Sequence, residues 1–560
     1  MKPSTRTWLV AAALAPGVVV ALLDATVMSI AVPSMVWDLD TTINNITWVL
    51  NAYNLGLVVL FLTAGRIADR LGHKRVYVAG LVVFVAFSFA CARAPGVGWL
   101  IVFRVGQAAG AAAVIPVSLA LLLAAFPAAR RGLAAGLYGA LTSAAAALGP
   151  TVGGYLTEYH GWRWIFLVNV PIGLAAVAAG LLLVPGLERR RAAPAPIDLL
   201  GMVLSAAALF CLTLGLIPGN DWGWASAGVL GLFAAAAAAA AAFVWWELRV
   251  PSPTLDLRLF RVRPFAAANA AVMTIDVAMM GTAFLLVIYM VGILGFQEVR
   301  AGLAVTPMPL AGLLLAPLAG RLVDRVGPRS VVVAGALTSG VALLLIADIQ
   351  IGATTGQIAW RTALLGVGIG LSLPAMMAAG MTALPRAVQG VGSGALNTAR
   401  QLGFALGVAI LVAVFTHTVG VQMVKANHAS RLAVTGNALI PAQYKHAILD
   451  TLDQAARVDV SHGIDAIRTL SDPTRGVAMP PGGTLGAGLL ELVTTEIKLL
   501  YRGMMAEAFA WPFRVAAIAA FLAVPPGLLL GRRLGRQADE PPDRVQQVDG
   551  GRELERVTAS

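Results

Sequence analysis

Long apolar stretches recur along the whole chain and are separated by short polar segments. Each stretch contains about 20 residues, the length that an α-helix needs to cross the hydrocarbon core of a bilayer. The pattern therefore predicts fourteen membrane-spanning helices. Their predicted ranges are 8–33, 45–65, 76–94, 98–124, 133–157, 163–185, 197–218, 225–246, 265–291, 301–320, 330–348, 358–382, 391–417 and 508–531.

The composition fits an all-α integral membrane protein. Hydrophobic residues make up 58% of the chain and charged residues 12%, whereas roughly 25% of a soluble domain is charged. The formal net charge of +12 does not indicate a nucleic-acid partner, because Lys and Arg are concentrated in alternate loops. Loops rich in Lys and Arg face the cytoplasm. We therefore expect a multi-pass protein of the inner (plasma) membrane with both termini in the cytoplasm.

One short sequence occurs twice. Residues 65–76 read GRIADRLGHKRV, and residues 320–331, which lie 255 positions further on, read GRLVDRVGPRSV. A hairpin repeated at corresponding places in two halves indicates a transporter built from internal repeats. The glycines permit a tight turn. Asp69 is expected either to pair with arginines of its own loop or to accept hydrogen bonds from the N-terminus of a neighbouring helix.

Such contacts would latch the two halves together on the cytoplasmic side. The predicted gating residues are Gly65, Arg66, Asp69, Arg70, Gly72, Lys74, Arg75, Asp324 and Arg325. The alternative is that the basic residues only set the topology. The second copy has Pro328 and Ser330 where the first has His73 and Arg75, so the first copy is expected to matter more for the gate.

Eight predicted spans separate the two hairpins, whereas a plain duplication of six spans would leave six. We therefore interpret spans seven and eight as an inserted pair. The predicted domains are an N-terminal six-helix bundle (1–196), the inserted helix pair (197–246), a cytoplasmic connector (247–264), a C-terminal six-helix bundle (265–533) and a disordered cytoplasmic tail (534–560).

The segment 418–507 is a long, nearly neutral extracytoplasmic loop. Near its end, Leu489, Val493, Ile497 and Met504 follow helical spacing and predict an amphipathic helix that runs into the last span. The loop would cap an exit path or bind an envelope partner; a functionless insertion is the alternative.

Four ionisable side chains stand deep inside the predicted spans: Asp24, Arg104, Asp276 and Arg400. Such groups are costly in a membrane unless they are paired or face a water-filled cavity, so they are candidate functional groups. At a rise of about 1.5 Å per residue, Asp24 and Arg104 reach a similar depth and can meet. We expect Asp276 and Asp24 to couple protons, with Arg104 tuning them. A structural pair of Asp24 with Arg104 is the alternative, and Arg400 is interpreted as mainly structural.

Two further groups of residues are candidates for function. Polar, aromatic and methionine side chains predict a substrate cavity lined by Asn51, Tyr53, Asn54, Gln107, Tyr289, Met290, Asn397 and Arg400. A kink and a close-packed face of small residues are predicted in the fifth span, where packing alone is the alternative; they involve Gly149, Pro150, Gly153 and Gly154.

Several ordered motifs resemble those of one known family. They are the hairpin at 65–75, Leu23–Val27 with the following 31–33, Arg104–Gln107, Gly149–Gly154, 161–171 and 397–403. Together they resemble the major facilitator superfamily and, within it, the fourteen-helix drug:proton antiporters of the multidrug efflux type. The resemblance covers about 1–417 and the last span. It implies the major facilitator fold of two six-helix bundles and a secondary transporter that is not an enzyme.

We therefore predict a proton-coupled antiporter that exports hydrophobic or amphipathic small molecules by alternating access. Its partners would be protons, membrane lipids and the substrate. We expect a monomer that needs neither a cofactor nor a metal, because the proton gradient supplies the energy. The alternative is an exporter of a lipid or lipid-linked molecule, for which the long loop and the projecting last helix would be useful.

Overall fold

The computed structural model describes residues 5–41, 43–185, 198–216, 219–385, 388–437, 440, 442–455, 473–474 and 485–531. These residues are almost entirely helical, and no strand occurs among them. Fourteen helical segments are long and apolar enough to cross a membrane. The predicted number of spans is therefore confirmed, and the chain is a multi-pass membrane protein. The predicted tail, 534–560, lies outside the described residues.

The first six spans come from seven helices. They are α1 (Thr5–Asp38), α2 (Ile43–Leu71), α3 (His73–Ala92), α4 (Val97–Ala125), α5 (Arg131–His160), α6 (Trp164–Leu167) and α7 (Asn169–Leu183). Helices α6 and α7 together form the sixth span. Helix α4 packs against both α2 and α3, and α1 packs against α5 and α7. These contacts form the first bundle.

Two spans follow that belong to neither bundle. They are formed by α8 (Leu199–Leu216) and α10 (Ala227–Glu247), with the short α9 (Gly219–Trp222) between them. Helix α8 packs against α2 and α16 (Gln389–Gly436), whereas α10 packs mainly on α8. Large apolar side chains such as Val203, Leu230 and Trp245 are exposed on this pair, as expected for helices that face lipid.

The last six spans form the second bundle. Its helices are α11 (Arg263–Gly292), α12 (Glu298–Val305), α13 (Pro307–Val326), α14 (Pro328–Ala347), α15 (Thr355–Thr382), α16, α18 (Leu485–Phe521) and α19 (Val524–Leu529). The tenth span combines α12 and α13, which meet at Thr306 in front of Pro307. Proline lacks the N–H that a continuing helix requires, which accounts for this break.

Each bundle contacts the other along two seams. In the first seam α2 packs against α16, and in the second seam α5 packs against α13. Helix α8 therefore lies beside the first seam, which is the seam formed by α2 and α16. We call the end of the molecule that carries the two repeated sequences the hairpin end.

The repeated sequences are more helical than predicted. Helix α2 continues to Leu71 and α3 begins at His73, so Gly72 alone forms the first turn, with φ of 98°. Gly327 forms the second turn, with φ of 88°. Only glycine adopts this backbone conformation without strain. The prediction that Gly65 belongs to the turn is therefore wrong, because this residue lies inside α2.

Helices α16 and α18 extend beyond the membrane at the opposite end. The predicted thirteenth span ends at 417, but α16 runs without interruption for 48 residues. That length corresponds to about 72 Å, more than twice the ~30 Å hydrocarbon core. The predicted amphipathic helix is confirmed, because α18 is continuous from Leu485 into the last span.

A small helical extension forms where these helices leave the membrane. Helix α17 (Ala442–Ala455) packs on α16, and Asn427 donates a hydrogen bond of 3.3 Å to the carbonyl of Leu452. Buried apolar residues from the three helices form its interior; they include Met423, Ala426, Ile448, Leu452, Val493 and Ile497. This apolar stripe continues the helical pattern past 417 and explains why α16 does not end at the predicted boundary.

Glycines bring α11 and α16 into close contact. A Cβ atom added at Gly407 would meet the backbone carbonyl of Val277, and one added at Gly403 would lie 3.0 Å from Cβ of Asp276. Small residues at a helix interface allow this approach in membranes, where packing and not water exclusion holds helices together. Asp276 is placed against α16 by this packing.

We expect Gly407→Ala to destabilise the protein by about 1–3 kcal/mol, because overpacking forces two backbones apart. Gly420 lies in the same helix with open space around it, so Gly420→Ala is the matched control and is expected to be neutral or slightly stabilising. Thermal unfolding of the purified protein in detergent measures both. Equal transition temperatures for the two variants would contradict the close contact.

Candidate functional site

At the hairpin end, a carboxylate of the first bundle caps a helix of the second. Oδ1 of Asp69 accepts a hydrogen bond of 2.7 Å from the N–H of Gly390, and Oδ2 accepts one of 2.8 Å from the N–H of Val391. These are the first free donors of α16, and the helix dipole favours a negative charge there. Gly65 lets the backbones approach, because a Cβ at this position would meet the carbonyl of Gly390. We call this arrangement the first latch.

The second hairpin forms the reciprocal contact. Oδ1 of Asp324, in α13, accepts a hydrogen bond of 2.8 Å from the N–H of Gly132, and Oδ2 accepts one of 3.0 Å from Leu133 at the start of α5. A Cβ at Gly320 would meet the carbonyl of Gly132. We call this the second latch. Of the two contacts open to Asp69 from the sequence, the structure shows the hydrogen bonds to a neighbouring helix N-terminus.

The other hairpin residues differ between the copies. Nε2 of His73 lies 3.3 Å from Oδ1 of Asp69, whereas Pro328 occupies the corresponding place in the second copy. Lys74 donates a hydrogen bond of 2.7 Å to the carbonyl of Leu181, at the end of α7. Arg75 is exposed.

Asp24 is the centre of a buried polar network in the first bundle. Its Oδ2 accepts a hydrogen bond from Nη1 of Arg104. Its Oδ1 accepts hydrogen bonds of 3.0 Å from Gln107 and 2.9 Å from Asn169. Ser88 accepts hydrogen bonds of 3.1 Å from the same two amides. Four helices (α1, α3, α4 and α7) are thus joined around one carboxylate.

Arg104 is enclosed as completely as the carboxylate it binds. Only 1% of Arg104 and 2% of Asp24 is exposed. The guanidinium carbon lies 4.1 Å from the centre of the Tyr53 ring, and the Tyr53 hydroxyl donates a hydrogen bond of 2.8 Å to the carbonyl of Ala21. A buried ion pair in which both carboxylate oxygens accept hydrogen bonds and the guanidinium makes a cation–π contact is well suited to hold helices together.

The second bundle contains a separate buried pair. Nε of Arg400, in α16, lies 3.3 Å from Oδ2 of Asp276 in α11. Among the described residues Oδ1 of Asp276 has no hydrogen-bond partner, although the residue is 1% exposed. The pairing of Asp276 with Arg400 was not predicted from the sequence; α16 brings Arg400 to Asp276. Arg104 contacts Asp24 and not Asp276.

The predicted cavity residues do not form one group. Tyr53 and Gln107 join the Asp24 network, and Asn397 donates a hydrogen bond of 2.9 Å to Ser393 of its own helix. Tyr289 and Met290 are completely buried, and the Tyr289 hydroxyl donates a hydrogen bond of 2.8 Å to the carbonyl of Ile349. Asn54 is exposed and Asn51 is half-buried.

The glycines of the predicted antiporter helix pack against α1. A Cβ at Gly149 would meet the side chain of Thr26, and one at Gly153 would lie 2.9 Å from the carbonyl of Val27. Gly154 is half-buried in α5, and the side chain of Pro150 lies outside the described residues. This face therefore brings α5 close to the helix that carries Asp24.

Sequence reasoning missed Ser88 and Asn169, which complete the Asp24 network. Both are polar residues inside apolar spans and are almost completely buried. That property was a usable signal, since buried polar groups in a membrane require partners. The backbone donors at Gly132 and Gly390 carried no such signal, because any helix N-terminus offers free N–H groups.

Two bundles that latch onto each other across two seams, in a chain with fourteen membrane-crossing helices, define a membrane transporter built from repeated halves. The family model of the Major Facilitator Superfamily matches residues 14–408. The chain therefore belongs to this superfamily, and the resemblance predicted from its motifs is confirmed. Members of the superfamily are transporters and not enzymes.

Two relatives agree with this assignment, and a solved structure shares the fold. The chain is 30% identical over 521 residues to the tetracenomycin C resistance and export protein of Streptomyces glaucescens, covering 93% of this chain and 91% of that protein. It is 34% identical over 398 residues to the multidrug resistance protein Stp of Mycobacterium tuberculosis, covering 70% and 73% of the two. The human organic anion transporter MFSD10 shares the fold, with a TM-score of 0.55 at 16% identity over 74% of this chain and 94% of that chain.

We expect Arg104→Leu to destabilise the protein by about 3–5 kcal/mol, because Asp24 would remain buried without its partner. The double variant Asp24→Leu/Arg104→Leu removes both charges and is expected to recover part of that loss. The yield of monodisperse protein and its thermal unfolding measure the effect. A double variant less stable than Arg104→Leu would contradict the assignment of this pair as a structural anchor.

The latches generate a second prediction. Asp69→Asn keeps the shape of the side chain but removes its charge, so the N-terminus of α16 is expected to lose about 0.5–2 kcal/mol of capping energy. The hairpin end should then open more often, which cysteine accessibility at that end measures. Glu158 is exposed in α5, so Glu158→Gln is the control. Unchanged accessibility in Asp69→Asn would contradict a latching role.

Proposed function

We propose that the protein is a proton-coupled antiporter that exports hydrophobic or amphipathic small molecules. The similarity to drug and antibiotic export proteins supports the class of cargo. The observation that carries the proton coupling is Asp276, a buried carboxylate with one oxygen that lacks a hydrogen-bond partner among the described residues. Such a group binds a proton without breaking an existing hydrogen bond to that oxygen.

The two latches support alternating access. In this structure both are formed, so the hairpin end is closed. For cargo to enter from that side, the four hydrogen bonds of Asp69 and Asp324 must break. The Lys and Arg content of the hairpins supports a cytoplasmic position for this end in a plasma membrane. Cargo would then leave at the opposite end, where α16 and α18 project.

The proposed cycle exchanges a proton from outside for cargo from the cytoplasm. With the opposite end open, Asp276 takes up a proton and cargo leaves. With the hairpin end open, Asp276 releases the proton to the cytoplasm and cargo enters. Arg400 stabilises the ionised carboxylate, since its Nε lies 3.3 Å from Oδ2. Asp24 serves as a fixed anchor of the first bundle, because both its oxygens already accept hydrogen bonds. The protein works as a monomer, and the proton gradient replaces a cofactor.

Asp276→Asn is expected to abolish proton-driven efflux, because the amide cannot exchange a proton. Dye transport by everted vesicles, with and without a proton gradient, measures this directly. Glu158→Gln, which alters an exposed acid, should transport at the unmodified rate. Full gradient-dependent transport by Asp276→Asn would overturn the proton-coupling proposal.

A second candidate function is export of a lipid or lipid-linked molecule. The observation that favours it is the helical extension of α16, α17 and α18, which reaches beyond the membrane at the exit end. Lipid analysis of cells that lack the protein separates the two functions. A changed envelope lipid with unchanged drug susceptibility would favour the lipid exporter, and the reverse result would favour the drug exporter.

A further inference from the structure

The two seams between the bundles differ in what lies beside them. Helix α8 packs against both α2 and α16, and α10 packs on α8. The connector that follows α10 contacts the end of α2 that carries the first latch. Among the described residues, no helix pair lies beside the second seam as α8 and α10 lie beside the first.

The start of the connector is fixed to both inserted helices. Asp198, in front of α8, accepts hydrogen bonds of 2.8 Å from the indole N–H of Trp246 and 3.3 Å from the N–H of Thr254. Glu247, at the end of α10, accepts hydrogen bonds of 3.2 Å from the N–H groups of Thr254 and Leu255. These buried contacts fix the position of the connector segment 251–255.

Asp198 is held as an anion in this arrangement. Burial raises its pKa, but the hydrogen bonds from Gly201, Trp246 and Thr254 outweigh burial and lower the pKa of this carboxyl below its usual value. The inserted pair and the connector therefore form one body with a negative charge close to the arginines of α2.

Ser252 joins this body to the gate. Its hydroxyl oxygen accepts hydrogen bonds from Nη2 of Arg66, at 3.2 Å, and from Nη2 of Arg70. Both arginines lie on α2 one turn apart, on either side of Asp69 in sequence. Two like charges on one helix face repel each other. The hydroxyl oxygen of Ser252 accepts hydrogen bonds from both guanidinium groups, so it stabilises them close together and fixes the end of α2 that carries the first latch.

Among the described residues, no hydrogen bond between a connector and the arginines of the second hairpin is found. Arg321 and Arg325 occupy the corresponding positions in the second hairpin. Both are exposed, whereas Arg66 and Arg70 are half-buried. Ser330 of this hairpin donates only weakly within its own turn, to the carbonyl of Gly327 at 3.4 Å.

We propose that the inserted helix pair and its connector are a strap over the first seam, in which Ser252 is a positioning residue that holds Arg66 and Arg70. The strap makes the two latches unequal: at the hairpin end the second seam opens more readily than the first, because the Ser252 contacts add to the energy needed to open the first seam. This assigns a role to the two helices that the duplicated bundles lack. It holds whatever the cargo and whatever the energy source.

Pairs of spin labels at the hairpin end test the strap in the full-length protein. Cys91 and Cys211, the two cysteines of the chain, are first replaced by alanine. One label pair, at Leu71 and Pro385, reports on the first seam. The other, at Ala129 and Val326, reports on the second. All four positions are exposed. Distances are measured in lipid nanodiscs without substrate or gradient, so the result does not depend on the proposed antiport.

Ser252→Ala is expected to increase the fraction of long Leu71–Pro385 distances roughly tenfold. This factor corresponds to the stabilisation that hydrogen bonds to charged groups provide. The Ala129–Val326 distances should not change. Ser252→Thr keeps the hydroxyl and should restore the original distribution, and Ser330→Ala is the matched control in the other hairpin. The strap is overturned if Ser252→Ala leaves the first seam unchanged, if Ser252→Thr opens it equally, or if both seams open together.

Discussion

The capping of a helix in one bundle by a carboxylate of the other is the interaction on which this arrangement depends. Asp69 and Asp324 each accept two backbone hydrogen bonds across the interface. Glycines at 65 and 320 make these contacts geometrically accessible. The interaction is strong because a full negative charge meets both free N–H donors and a helix dipole. Each cap joins two helices at a single point, so its two hydrogen bonds form and break together.

The two buried charged pairs have different chemistry although both join aspartate to arginine. Asp24 has partners for both oxygens, including amides from two further helices, and joins four helices of the first bundle. Asp276 has a single long contact with Arg400 and an oxygen without a partner among the described residues. Burial makes an incompletely bonded carboxylate costly in its charged form. In the proposed cycle this carboxylate exchanges the proton, and its position against α16 joins it to the helix that Asp69 caps.

The inserted pair changes the symmetry of the molecule. A plain duplication would give two equivalent seams and two equivalent latches. Here Ser252 of the connector accepts a hydrogen bond from Arg66 of the first hairpin, whereas the arginines of the second hairpin are exposed. His73 adds a further contact to Asp69 that Pro328 cannot make. Sequence differences between the hairpins and the position of the inserted helices therefore act on the same latch.

The sequence by itself determined the fourteen spans, the repeated hairpin and the superfamily, because each follows from apolar length or from an ordered motif. It also identified Asp24, Arg104, Asp276 and Arg400, since ionisable residues stand out in apolar spans. It did not determine their pairing: Arg400 lies 124 residues from Asp276, and only the contact of α11 with α16 at Gly403 and Gly407 joins them. The sequence also did not predict the backbone donors of the two latches or the contacts of Ser252. Backbone N–H groups and a single serine acquire a function only from the helix that approaches them, and that approach is decided by tertiary packing.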